Sequence, residues 1–119
     1  MDYPPHLHLT KHRRTLALHR LIAEKVRRDP LLIDKARATL DRWTAMNTRA
    51  AVPYYITGWT EVLDQGLEVT LAFMVDEGEH ATELRQSSPF AGALTPQERF
   101  AFLAEWREKM HSDSGNKPT

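Results

Sequence analysis

Apolar residues recur at helical spacing along almost the whole chain. Ala17, Leu18, Leu21, Ile22 and Val26 form one stripe and predict a helix over Thr10–Arg28, with Thr10 placed to cap it. Asp29-Pro30 is a clean boundary. Proline ends the first helix and suits the first position of the next, with Asp29 as its cap. Leu32, Ile33, Ala36, Leu40 and Trp43 then carry a second helix to Met46. After a polar linker, Asn47–Val52, Pro53 opens a third helix that reaches Gln65. Tyr55, Ile56, Trp59, Val62 and Leu63 form its inner face. Gly58 inside it costs up to about 1 kcal/mol relative to alanine, or lets a neighbour approach closely. Gly66 reads as a left-handed stop.

Leu67–Val75 fits two periods. Val69, Leu71, Phe73 and Val75 alternate as in a strand, while Leu67, Leu71, Met74 and Val75 share a helical face. No second strand is on offer to pair with, so the segment is expected to be a short buried helix. Glu77, Gly78, Glu79 and His80 form a hinge, and a short helix covers Glu79–Ser87 with Ala81 and Leu84 inward. The most explicit stretch is Arg85–Trp106. Ser88 precedes a proline and is pushed out of the helical region, so the chain turns over Phe90. Thr95-Pro96-Gln97-Glu98 reads as a capping box, each end accepting the other's amide, with proline at the first helical position. The final helix is placed at Pro96–His111. Phe100, Leu103, Trp106 and Met110 fall on one face, and Glu105 and Lys109 make a favourable pair. The expectation is an all-α fold, a compact bundle of five to six short helices. Residues 1–9 form an extended N-terminal arm, 10–111 a single domain, and 112–119 a flexible tail.

Composition adds boundaries. One domain is expected at 119 residues, long enough to bury a core without staples. There is no cysteine, so disulfides and thiolate metal sites are excluded. The N-terminus lacks the apolar core of a secretory signal, and no apolar run is long enough to span a membrane, so a cytoplasmic protein is expected. Formal net charge is zero, but the first fifty residues hold 11 Lys+Arg against 5 Asp+Glu and the remainder 5 against 11. Either the two ends meet partners of opposite charge, or the halves pack together and neutralise each other through weak surface pairs.

Candidate chemistry is sparse. His6, His8 and His12 make an H-x-H-x3-H run, with His19 beyond it. Prolines 4 and 5 place His6 and His8 off any helix, and no carboxylate completes a metal motif. These read as arm or surface histidines. Asp76, Glu77, Glu79 and Glu83 lack the alternation of a calcium loop. Nucleophile elbow, phosphate loop, dinucleotide glycines and zinc-protease motif are all missing. No catalytic residue, metal or cofactor is therefore assigned. Trp43, Trp59 and Trp106 read as core. The basic first helix offers Lys11, Arg13, Arg14, Arg20, Arg27 and Arg28 to phosphates, which gives a DNA-binding reading. Arg85, Gln86, Ser87 and Ser88 place donors beside the turn at Phe90, and these five form a candidate partner-binding set. C-capping and corner-fixing account for most of them and are the stronger reading.

The string Leu84-Arg85-Gln86-Ser87-Ser88-Pro89-Phe90-Ala91-Gly92, then Leu94-Thr95-Pro96 and Glu98-Arg99, resembles the closing signature of small all-helical bacterial proteins. Arg28-Asp29-Pro30, Ala36-Arg37, Arg42-Trp43 and Trp59 fit the same pattern, so the likeness covers about residues 16–106. Such proteins often occur in gene pairs resembling toxin–antitoxin modules. The resemblance implies an antitoxin: a protein that binds a toxin from a neighbouring gene, with a homodimer and operator DNA as further partners. It brings no catalytic residue. The histidine-rich arm lies outside it.

Overall fold

The computed structural model of the protein describes residues 5–47 and 52–115, and side chains over 10–47 and 52–111. Six helices follow in order: α1 (Pro5–Arg28), α2 (Leu31–Met46), α3 (Tyr54–Asp64), α4 (Leu67–Met74), α5 (Glu79–Arg85) and α6 (Pro96–Gly115). No strand occurs among the described residues. The fold is all-α. Leu67–Met74 is a helix, as the lack of a strand partner required.

Two boundaries move. α1 begins at Pro5 and not at Thr10, because a proline in the first turn leaves no needed N–H unmade. What remains of the expected arm, residues 1–4, lies outside the described residues. α6 runs on to Gly115, past the expected end at His111, and only 116–119 of the tail fall outside. Asp29 does not cap α2 with its side chain. Pro30 has helical angles, and it is the Asp29 carbonyl that accepts the Leu32 amide at 3.1 Å.

α1 to α5 form the core. α2 packs on α3, α1 on α4 and α5, and α3 on α4. Trp59 sits at the centre, fully buried, edge-on to Phe73 at 5.4 Å and to Phe90 at 5.8 Å. Its indole N–H donates to the Leu84 carbonyl at 2.8 Å, which satisfies the polar end of the largest core side chain. Around it pack Ile22 and Val26 of α1, Leu32, Ala36 and Leu40 of α2, and Leu71 and Met74 of α4.

Two glycines make this packing possible. A Cβ on Gly58 would stand 2.8 Å from Leu84 Cδ1, so α3 and α5 can meet only without it. Gly66, at φ 105°, turns the chain from α3 into α4 in a region other residues rarely enter. Thr70 then anchors the turn. Its hydroxyl lies 2.8 Å from the Gly66 carbonyl and 3.2 Å from that of Val62.

α6 is placed differently. It packs on no other helix as closely as the first five pack together. Its start is fixed by the capping box: the Thr95 amide donates to Glu98 Oε1 at 2.8 Å and the Glu98 amide to Thr95 Oγ1 at 3.1 Å. Lys25 of α1 reaches both Glu98 and the Ala93 carbonyl and ties that start down. The predicted inner face does not close over the core. Phe100 is 76% exposed and Leu103 37%, while Phe102, Trp106 and Met110 are half-buried.

Candidate functional site

The corner between α5 and α6 is built from His19 inward. Burial where α1 meets the corner at Ser88 holds the His19 imidazole down at about 4, so the ring is neutral near pH 7. Nδ1 faces the Thr15 carbonyl at 2.9 Å, a group that can only accept, so Nδ1 carries the proton. Nε2 is then an acceptor, and it receives the Ser88 hydroxyl at 2.8 Å. Ser88 Oγ in turn accepts the Phe90 amide at 3.1 Å, which sets the turn that drives Phe90 into the core. Ser88 and His19 share the donor order of a nucleophile and its base. Here, though, the hydroxyl is locked into the turn, and both residues are buried. The pair acts as a clamp across 69 residues of sequence.

Arg85 is buried beside it. One guanidinium nitrogen donates to the carbonyls of Met74 (3.2 Å) and Asp76 (2.6 Å), and the other to Thr82 Oγ1 (3.2 Å). It thereby caps the end of α4, whose last carbonyls have no partner within the helix. No carboxylate neutralises it at hydrogen-bond range among the described residues.

The sequence-derived candidates divide accordingly. Lys11 and Arg14 of α1 line one cleft together with Arg85, Gln86, Ser87 and Ser88, so parts of the two candidate sets meet in space. α6 closes the cleft with Arg99, Phe102 and Leu103, and Trp43 of α2 lies at its edge. Its volume is about 530 Å³. Phe90 belongs to the core, 1% exposed, and is spent on Trp59. Arg20 pairs with Glu77 at 3.6 Å and Arg27 with Glu68 at 3.5 Å, so the C-terminal half of α1 is not a continuous cationic face. Arg13 and Arg28 are exposed, and Arg28 lines the cleft on the opposite flank of α6.

His19 was read from sequence as a surface histidine, and the structure corrects this: it is 2% exposed. The signal was present, since His19 stands three and seven residues before Ile22 and Val26 on the apolar face. Among the described residues no three His, Asp or Glu side chains converge as metal ligands; His6 and His8, expected off any helix, stand on the first turn of α1, and their side chains lie outside those described. In the acidic run, Asp76 Oδ1 accepts the Gly78 amide at 3.1 Å and Glu77 takes Arg20. No helix among the described residues is long and apolar enough to cross a membrane. Compared with protein families, curated proteins and solved structures, the chain matches none.

Proposed function

We propose that this is a non-catalytic binding protein of the antitoxin-like kind, which neutralises a toxin encoded by a neighbouring gene by direct contact in the cytoplasm. One observation carries the reading beyond the resemblance. α6 is held firmly at its start and leaves Phe100 and Leu103 uncovered, and exposed apolar side chains grouped on one helix mark docking surfaces. The body beneath it is closed: among the described residues every buried side-chain nitrogen and oxygen has a hydrogen-bond partner. Such a body offers a rigid platform, with the binding work done at its surface.

Co-expression with the adjacent gene product tests this. The product alone arrests growth, growth returns with this protein, and the two co-purify. Phe100→Glu with Leu103→Glu weakens the complex about tenfold or more while the far-ultraviolet spectrum and unfolding midpoint stay unchanged, since neither side chain fills the core. A product that is harmless alone and does not co-purify ends this reading.

DNA binding is the second reading. Lys11, Arg13 and Arg14 are exposed and stand in no ion pair among the described residues. A salt titration of binding to operator-length duplex, with Arg13→Glu and Arg14→Glu as the control, decides it.

A further inference from the structure

The clefts on the two flanks of α6 differ in charge balance. The one facing Leu21 and Trp106 is lined by Arg20, Lys25, Arg28 and Lys109, but also by Glu24, Glu98 and Glu105. The one at the corner is lined by Lys11, Arg14, Arg85 and Arg99, and by no carboxylate among the described residues. Four other cations of the first fifty residues meet acids of the second half: Arg20 meets Glu77, Lys25 Glu98, Arg27 Glu68 and Arg37 Asp64. Among the described residues, Lys11, Arg14 and Arg99 of the corner cleft stand in no ion pair. Arg85 cannot swing out to a ligand, because three hydrogen bonds hold it, yet its charge is fixed beneath the cleft. Lys11, Arg14 and Arg99 are exposed at its rim and free to reach.

The cleft is not only charged. Leu18, Phe102, Leu103 and Trp43 supply apolar wall, and its volume suits one or two large side chains, not a whole helix. A bare phosphate or a nucleic-acid backbone would leave that wall unused. We infer that this cleft receives an acidic segment of the partner protein that inserts one bulky apolar side chain between α6 and the corner, its carboxylates meeting Arg14, Arg99 and Lys11. The inference rests on the reading of this chain as a protein-binding antitoxin and gives that reading its recognition chemistry. Cations at the rim steer the approach, and the apolar anchor holds the bound segment.

Three synthetic peptides test it on the full chain by amide and indole nuclear magnetic resonance. One is acidic with a single central phenylalanine, one is acidic with alanine there, and one carries the phenylalanine among neutral residues. The first is expected to shift the Trp43 indole and the amides of Leu18, Arg99 and Leu103. Its affinity should fall about tenfold between low and physiological salt. Arg14→Glu with Arg99→Glu lowers it about tenfold or more; both side chains are exposed and neither makes a hydrogen bond among the described residues, so the variant keeps its structure. Equal binding of all three peptides, shifts confined to other surfaces, or shifts produced in this cleft by duplex DNA but by no peptide overturns the inference. The neighbouring gene product separates the two levels. If it co-purifies equally with wild type and with the double variant, the cleft is wrong and the antitoxin-like reading stands. If the anchored peptide binds here and that product does not co-purify, the reverse holds.

Discussion

His19 is the residue on which the corner depends. It accepts from Ser88 while its other nitrogen is satisfied within α1, so Ser88→Ala strips a buried acceptor of its donor and also removes the acceptor of the Phe90 amide. A cost of about 1–3 kcal/mol is expected in urea unfolding. The charged imidazolium would lose that acceptor role, and burial opposes it. Its folded value of about 4 lies below the ordinary 6.5, so between these limits the unfolded chain binds more protons than the folded one. The stabilisation is complete above pH 6.5, declines as pH falls, and is gone below pH 4. The slope should approach ~1.4 kcal/mol per pH unit inside that window. Equilibrium unfolding of wild type and His19→Gln across the window checks this: the variant's profile loses the slope. Arg85 shows a different economy. It is charged, buried and answered only by carbonyls and a hydroxyl, so Arg85→Met leaves the carbonyls at the end of α4 without a donor and should destabilise the fold by about 1–3 kcal/mol.

At the scale of elements, the contrast is between α3, packed through a glycine, and α6, held by its first turn. Gly58→Ala places a methyl group 2.8 Å from Leu84 Cδ1, and the clash with a fully buried side chain should cost about 1–3 kcal/mol, read as a lower unfolding midpoint. Glu98→Ala acts locally instead. It removes half the capping box and the Lys25 contact, so amide exchange in α6 should quicken while exchange in α3 and α4 is unchanged. Protonation does the same. The Lys25 hydrogen bond, then the Thr95 amide, hold the Glu98 carboxyl below its ordinary 4.5. A depressed carboxylate contributes fully above its unfolded value and loses its contribution as pH falls through the lower folded one, so α6 loosens only in that acidic range. These elements were largely legible in the sequence because their causes are local. Thr95 to Glu98 is one turn, Gly66 is one backbone angle, and the helical reading of Leu67–Met74 needed only the lack of a strand partner. The position of α6 was not legible. Phe100 and Leu103 share a face with Trp106, and nothing in that spacing says the face stops short of the core. The clamp was hidden for a related reason: His19 meets Ser88 only after five helices have packed.

For the whole molecule, part of the charge split between the halves is met internally. Every ion pair recorded among the described residues joins a cation from the first fifty residues to an acid from the remainder. Arg37–Asp64, at 2.9 Å with both side chains well exposed, is representative, and a double-mutant cycle on it should give a coupling below ~1 kcal/mol. Pairs of that size do not hold the fold together; Trp59 and its neighbours do. What the pairing decides is where unbalanced charge remains. With Arg20, Lys25, Arg27 and Arg37 answered, the corner cleft keeps Lys11, Arg14 and Arg99 above the fixed charge of Arg85, beside the exposed Leu103 of α6. The molecule should then respond to salt in two different ways. Its unfolding midpoint should move little as ionic strength rises, because exposed pairs are weak and attraction and repulsion are screened together. Its association with an acidic partner should weaken steeply over the same range, because that attraction is of one sign. Measuring both on one preparation separates surface electrostatics that serve folding from electrostatics that serve recognition. Parallel salt dependence of the two would mean that the cleft cations belong to the fold.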